Sequence, residues 1–374
     1  MVQVALLGVL TLLLGTGSPL EMRSIVDGHL GRYFVGISDC HAYQQQADTN
    51  KKQIVLTSSE IESRIPANEI VLSWNLASPT GTGIEVEARA KHNGRWTKYY
   101  HMGHWSKEVG VFPRESVKGQ KDLNGDVETD TLTLKQNASS VQVRMTLHYT
   151  DENQKPTLKF LGLSFTDTHA PHLSALPANK KVWGKEIPVP AKWQTGWEGA
   201  RGWCSPTSTA MTLAFWAERL KRPELDFAVP DAARACFDRV YDGTGNWAFN
   251  TAFAGSFPGI RAYVTRFGDI RELENWIEVG LPVVVSCSLD LLRSLHRAND
   301  PGHLLVLIGF TETGDVILND PAYHPEKNEV ARHVYSRANF LKAWKRSNNT
   351  VYLIYPEGSS LPEDPSEHWE SPQK

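Results

Sequence analysis

The sequence predicts a two-domain protein, with an N-terminal antiparallel β-sandwich followed by a C-terminal α+β domain. At 374 residues the chain is longer than a single hydrophobic core usually accommodates. Residues 53–166 contain short apolar runs separated by turn residues, whereas helical and strand patterns are mixed after residue 190. A proline-rich stretch lies between the two regions and supports a boundary there.

The chain divides into five predicted segments. Residues 1–18 are an apolar run followed by small residues, which is typical of a secretory signal peptide. We predict the sandwich as an accessory domain over 19–167, a linker over 168–187, the α+β domain over 188–358 and a polar tail over 359–374. We therefore expect a secreted or extracytoplasmic protein with no membrane contact beyond the signal segment.

Composition excludes one large class of partner. Hydrophobic residues make up 41% of the chain and there are 12 tryptophans, as expected of a folded protein. The formal net charge is -3 and no basic run stands out, so we expect no nucleic-acid partner.

Alternating apolar and polar residues predict the strands of the first domain. Residue 84 begins a run in which Ile84, Val86 and Ala88 share one face while charged residues occupy the other. Similar patterns predict further strands. The predicted strands are 54–56, 69–74, 84–89, 131–134 and 141–147.

Aromatic residues in this first domain have two interpretations. They fill the core, which is the usual location of such large side chains, or they stack on glycans or peptides at the surface. The residues concerned are Trp96, Tyr99, Tyr100 and Trp105.

Two histidines in the same region have the spacing of metal ligands. His101 and His104 have no carboxylate or cysteine close to them in the sequence. Zinc sites ordinarily combine histidine with such partners, so we expect no metal and no cofactor.

In the second domain, Cys204 lies where a helix is predicted to begin. Ser205 suits the N-cap and Pro206 the first helical position. The partly positive end of a helix stabilises a thiolate, so Cys204 is a candidate nucleophile. The buried face of this helix is predicted to carry Met211, Ala214 and Phe215.

A nucleophilic thiol needs a base, a group that orients the base and donors for the developing oxyanion. His303 heads an apolar strand over 303–310, and Asp320 ends the next strand over 315–318 of the same hairpin. Asn319 is a rival to Asp320, because adjacent side chains of a strand point to opposite faces. Gln194, ten residues before Cys204, is a candidate oxyanion donor beside the backbone N–H of Cys204.

The order of these motifs resembles a family of papain-superfamily cysteine peptidases related to the bacteriocin-processing, double-glycine leader peptidases. The motifs are Gln194, Cys204-Ser205-Pro206-Thr207, Gly302-His303 and Asn319-Asp320-Pro321. The resemblance implies a papain-like fold for the second domain. It also implies Cys204 as nucleophile, His303 as general base, Asp320 as orienting acid and Gln194 as oxyanion donor. Members linked to transporters carry Cys-Gly-Pro-Thr and a phosphate loop. This sequence has Cys204-Ser205-Pro206-Thr207 instead and contains no phosphate-loop motif, so we do not expect coupling to export.

The sequence therefore predicts a secreted cysteine peptidase-like hydrolase that acts on a peptide, protein or peptidoglycan-type substrate. Amidase, isopeptidase and transglutaminase-like reactions remain open, as does a glycan or wall contact through the first domain. The alternative is a non-enzymatic extracellular or cell-wall binding protein with an inactive peptidase-like domain. One disulfide among Cys40, Cys236 and Cys287 is also left open.

Overall fold

The computed structural model describes residues 31–39, 43–108, 110–171, 176–295 and 302–370. Strands hold more of these residues than helices do, and the strands pair antiparallel. The predicted signal segment and Cys40 lie outside the described residues. None of the helices within those ranges is long and apolar enough to span a bilayer.

Among the residues that the structure describes, the regular elements of the N-terminal half are all strands. They are β1 (Arg32–Ile37), β2 (Gln44–Asp48), β3 (Gln53–Thr57), β4 (Ile61–Ala77), β5 (Thr82–His92), β6 (Arg95–Trp96), β7 (Tyr100–Trp105), β8 (Gly125–Glu128), β9 (Thr131–Tyr149) and β10 (Thr157–Thr166).

The C-terminal half mixes helices with strands. The helices are α1 (Cys204–Leu220), α2 (Val229–Cys236), α3 (Trp247–Gly255), α4 (Ile270–Glu278), α5 (Leu289–Leu292) and α6 (Arg337–Lys345). The strands are β11 (Ile260–Arg266), β12 (Val283–Ser288), β13 (Gly302–Phe310), β14 (Val316–Asn319), β15 (Arg332–Tyr335) and β16 (Thr350–Pro356).

The N-terminal strands join into one ten-stranded sheet, whose main path runs β1-β10-β4-β9-β3-β2. The predicted strands 54–56, 69–74 and 84–89 are confirmed within β3, β4 and β5. The prediction of separate strands over 131–134 and 141–147 is wrong, because both belong to the 19-residue β9. The polar residues between them, from Lys135 to Ser140, continue the extended backbone, since β9 pairs there with β4 and β5. The packing of two sheets that defines a sandwich stays a prediction.

The C-terminal strands form a six-stranded sheet in the order β11-β16-β12-β13-β14-β15. The predicted hairpin is confirmed, because β13 and β14 pair antiparallel and Val306 faces Asn319. This pairing brings the residues at the start of β13 towards those that follow β14.

The two halves are joined along β11, an edge strand of the smaller sheet. Asn75 donates to the Ala262 carbonyl at 2.7 Å and accepts from the Ala262 N–H at 3.0 Å. Ser73 accepts from the Val264 N–H at 2.9 Å. Side chains of β4 therefore satisfy the backbone groups that an edge strand would otherwise leave unpaired. The N-terminal core also encloses α3 residues, among them Phe249.

Both segments that flank the α+β region are packed against it. The end of the predicted linker pairs with β13, where the Ile187 N–H donates to the Ile308 carbonyl at 2.7 Å. In the predicted polar tail, His368 and Trp369 are buried, and His368 Nδ1 lies 2.8 Å from a Glu272 carboxylate oxygen. The predicted domain boundaries themselves stay predictions.

Replacement of Gly309 tests the contact between the linker and β13. A Cβ at Gly309 would lie 2.2 Å from the Lys185 carbonyl oxygen, so Gly309→Ala must push two backbones apart. We expect urea titration to show a loss of about 1–3 kcal/mol in the free energy of unfolding. Gly302→Ala is the matched control, because a Cβ there meets no atom within 4 Å. Equal stability of the two variants would contradict the close approach.

Candidate active site

A helix does begin at Cys204, which is the first residue of α1. The predicted N-cap is wrong, because the cap is Trp203 and the Ser205 hydroxyl lies 2.9 Å from the Tyr352 hydroxyl instead. Pro206 is the third helical residue, where its missing N–H is still among those that a helix leaves unpaired. Met211, Ala214 and Phe215 are buried as expected. The helix thus begins two residues earlier than predicted and places the thiol within its first turn.

The hairpin brings His303 and Asp320 into direct contact. His303 Nε2 lies 2.7 Å from Asp320 Oδ1, and the two residues are 4% and 0% exposed. His303 also interacts with the Cys204 side chain, and this interaction lowers the thiol pKa and raises the histidine pKa. Because Nε2 is engaged by Asp320, we assign the Cys204 contact to Nδ1. Cys204, His303 and Asp320 therefore form one connected chain of side chains.

Asn319 does not share this arrangement. Its side-chain amide donates to the Val189 carbonyl at 3.0 Å, on the opposite face of β14 from His303. The geometry therefore favours Asp320 over Asn319 as the partner of the histidine.

The pKa shifts in the group favour charge separation between the thiol and the imidazole. Burial raises the pKa of Cys204, but hydrogen bonding to His303 and the histidine charge outweigh it, so the thiol pKa is lowered. Burial lowers the pKa of His303, yet Asp320 and Cys204 raise it overall to about 9. The pKa of Asp320 is lowered despite its burial, because His303 bonds to its charged form. A thiolate next to an imidazolium is the state these shifts favour.

Gln194 is linked to the site through its backbone. Its N–H donates to the Pro321 carbonyl at 2.9 Å, directly after Asp320. The neighbouring Thr195 hydroxyl donates to the Tyr323 carbonyl at 2.7 Å. Among the residues that the structure describes, the buried Gln194 Oε1 has no hydrogen-bond partner. The irregular segment around Gln194, which precedes α1, is thus held against the loop after Asp320.

Sequence reasoning missed two residues that hold Asp320. Arg293 Nη2 donates to Asp320 Oδ2 at 2.7 Å, and the Tyr335 hydroxyl donates to the same oxygen at 3.2 Å. Arg293 follows α5 and Tyr335 ends β15, so neither is close to Asp320 in the sequence. Nothing in the local pattern of either residue signals this contact.

Cys204 opens onto a cleft of about 530 Å³. Arg201, Asp242 and Arg346 are charged residues in its lining. Tyr241 and Trp247 belong both to this cleft and to a neighbouring cavity of about 390 Å³. That second cavity is lined in part by residues of the N-terminal half, namely Glu69, Glu128 and Asp130. The accessory half therefore contributes acidic groups to the surface next to the thiol.

The remaining described cysteines differ from Cys204. Cys236 and Cys287 are free and buried, so they do not form the disulfide that the sequence left open between them. Burial raises the pKa of Cys236 to about 12 and raises that of Cys287 as well. Cys287 lines the same cleft as Cys204. The pKa values of these two thiols therefore differ because of their immediate surroundings, since burial alone acts on Cys287.

The aromatic residues of the first domain divide between the two interpretations. Tyr100 and Trp105 are fully buried in its core. Trp96 and Tyr99 are partly exposed, and the Arg89 guanidinium lies 4.7 and 4.8 Å from their ring centroids. Only Trp96 and Tyr99 of these four therefore present ring surface outside the core.

The sequence argument against a metal ligand set at His101 and His104 rests on a wrong premise. A carboxylate does lie near them, because β5 pairs with β7 and places Glu85 opposite His104. Ligand atoms of Glu85, His101 and His104 all lie within 4.8 Å of one another. The sequence gives no direct signal of this, since Glu85 precedes His101 by a full hairpin.

Comparison with known families gives two matches along the chain. Residues 36–166 match the Peptidase C39 N-terminal domain, and residues 186–352 match the Peptidase_C39 like family. A comparison with curated proteins found no match. Among solved structures, a protein from Bacillus anthracis described as a C39-like peptidase is 18% identical, with a TM-score of 0.34. It covers 47% of this chain and 99% of its own, and at that TM-score it carries no weight for the fold.

Selective alkylation tests the activated thiol. At pH 7 we expect iodoacetamide to modify Cys204 at least about tenfold faster than Cys287 and Cys236, because only the Cys204 pKa is lowered. His303→Ala should slow Cys204 modification by about tenfold or more, since the hydrogen bond and charge that lower its pKa are lost. Peptide mapping by mass spectrometry measures each site. An unchanged Cys204 rate in the His303 variant would refute the coupling.

Proposed function

Because the chain belongs to the C39-like cysteine peptidase family, we propose that it is a hydrolase that cleaves an amide or peptide bond by thiolate attack. The observation that carries the proposal is the connected group of Cys204, His303 and Asp320, of which Cys204 lines a cleft. Lowered thiol pKa and raised imidazole pKa are the conditions that such chemistry requires at neutral pH.

In the proposed reaction, the Cys204 thiolate attacks the carbonyl carbon and forms a carbon–sulfur bond. The oxyanion that results accepts hydrogen bonds from the Cys204 backbone N–H and from the Gln194 side-chain amide. His303 then gives its proton to the leaving nitrogen as the carbon–nitrogen bond breaks, and a thioester remains. His303 next takes a proton from water, the hydroxide attacks the thioester, and the carbon–sulfur bond breaks to restore the thiolate.

Asp320 keeps the imidazole in position for both proton transfers. Its carboxylate binds Nε2, so Nδ1 faces the thiol and the substrate. Arg293 and Tyr335 act on the other carboxylate oxygen and fix its orientation. In this scheme they are positioning residues, because neither touches the reacting atoms.

The substrate is proposed to be a peptide, a protein or a peptidoglycan-type polymer. Support comes from the cleft and its continuation onto Glu69, Glu128 and Asp130 of the N-terminal half, which suits an extended chain. The apolar N-terminal segment over 1–18 supports action outside the cytoplasm.

Removal of the nucleophile or the base tests the proposed reaction. With a mixed library of peptides and peptidoglycan fragments, Cys204→Ala and His303→Ala should each lower kcat/KM by at least about 10³. Cys236→Ala is the matched control, since this thiol lies outside the cleft, and it should retain activity. Circular dichroism reports whether each variant is folded. Binding of library members without any turnover by the wild-type chain would favour the non-enzymatic alternative.

The pH dependence of kcat/KM tests the role of Asp320. The wild-type rate should fall as pH rises through about 9, where His303 loses the proton it donates to the leaving group. Asp320→Asn should move this alkaline limb to lower pH, because the carboxylate is what raises the His303 pKa most. Asn319→Ala should leave the position of the limb unchanged. A limb that stays at the wild-type pH in the Asp320 variant would rule out the assigned role.

A further inference from the structure

A cluster of histidines and glutamate on the N-terminal sheet is separate from the Cys204 cleft. Glu85 lies on β5, and His101 and His104 lie on β7. His101 Nδ1 is 2.9 Å from Glu85 Oε1, and the two imidazole rings are stacked with centroids 6.1 Å apart. None of these residues lines the cleft that contains Cys204.

A local irregularity in β7 turns the two histidines to one face. Residues three apart in a regular strand point to opposite faces. Here the pairing of β7 with β5 shifts between Val86 and Glu87, and Gly103 adopts φ 141°, which side chains disfavour. A Cβ at Gly103 would also lie 3.0 Å from the Phe249 ring. Gly103 therefore permits the bulge that brings His101 and His104 together.

A further imidazole reaches the cluster from β9. His148 Nε2 lies 4.0 Å from Glu85 Oε2, the carboxylate oxygen that faces away from His101. The His148 ring stacks on Phe112 with centroids 5.5 Å apart, which fixes its direction. Three adjacent strands thus contribute donors to one small region.

The contacts already present leave a donor atom of the cluster available to bind a metal ion. Among the described residues, the buried His101 Nδ1 atom has no hydrogen-bond partner, although Glu85 Oε1 is within bonding distance. The two atoms are thus close without being aligned to bond to each other. A cation between a nitrogen lone pair and a carboxylate oxygen would satisfy both groups.

The charge around the cluster also favours a cation. Glu87 is paired with Arg144, whose Nε lies 2.6 Å from Glu87 Oε2, so that pair is neutral. Glu87 thus has an arginine at hydrogen-bond distance, whereas Glu85 is the carboxylate that lies beside His101.

We propose that Glu85, His101 and His104 bind a divalent transition metal ion, with His148 or water as the fourth ligand. Two imidazoles and one carboxylate suit zinc, which is held at about 2.0–2.2 Å by nitrogen and oxygen donors. Tetrahedral ligands at that distance are about 3.3 Å apart. The described donor atoms lie within 4.8 Å of one another, so closure needs only small side-chain rotations.

A bound metal would link β5 to β7 at His104, which is connected to the C-terminal half through Glu115. The His104 backbone exchanges two hydrogen bonds of 2.9 Å with Glu115. Glu115 forms an ion pair with Arg239 of the C-terminal half. The expected consequence is a rise in thermal stability on metal binding.

Metal titration of the full chain tests the site. Cys204→Ala serves as the parent, because the thiolate and His303 would themselves bind zinc. We expect one equivalent of Zn²⁺ to bind with a Kd of about 10 μM or tighter, and Co²⁺ to give the visible absorption of a four-coordinate site. Glu85→Gln and His104→Ala should each weaken Zn²⁺ binding by at least about tenfold and remove the rise in Tm.

His92→Ala, on the same strand β5, is the matched control. Its ring lies 3.0 Å from the Asn137 carbonyl and outside the cluster, so it should bind Zn²⁺ as the parent does. Circular dichroism verifies folding, and Glu85→Gln preserves side-chain size if His104→Ala is unstable. Binding weaker than about 1 mM, or binding equally strong in the Glu85 variant and the control, would overturn the proposal.

Discussion

The buried carboxylate of Asp320 is the interaction on which the rest of the site depends. It is 0% exposed, and a charged carboxylate there would be costly without compensation. His303 and the Ala322 N–H bind one oxygen, while Arg293 and Tyr335 bind the other. These partners keep the group ionised and fix its plane. The fixed plane in turn sets the direction of the His303 ring. The hydrogen bond between this carboxylate and His303 raises the histidine pKa, and His303 lowers the pKa of Cys204.

The N-terminal half is part of the same packed unit. Asn75 and Ser73 pair with the β11 backbone, so the edge of the smaller sheet is closed by side chains of the larger one. Phe249 of α3 is enclosed in the N-terminal core, and the adjacent Trp247 lines the cleft. The helix that carries a wall of the cleft is therefore positioned by the accessory half. We infer that loss of this half would disturb the cleft as well as remove its acidic extension.

Sequence reasoning identified the Cys204, His303 and Asp320 group because each residue lies at an element boundary. Apolar runs mark those boundaries clearly, and a short hairpin brings the ends of its two strands together. The same reasoning failed where structure depends on pairing between distant segments. The Ser205 hydroxyl contacts Tyr352 instead of capping α1, and Glu85 meets His104 through strand register. Register across a sheet is set by the whole core, so a local pattern cannot report it.

The two histidine–carboxylate groups of this protein differ in how their charges are balanced. In the Asp320 group the pKa shifts favour charges of −1, +1, +1 and −1 on Asp320, Arg293, His303 and Cys204, which sum to zero. Asp320 lies at hydrogen-bond distance from both His303 and Arg293. In the second group, Arg144 pairs with Glu87, and Glu85 lies beside the imidazole of His101. The first group is proposed to use its paired charges for nucleophilic attack, whereas the proposed role of the second is to bind a cation.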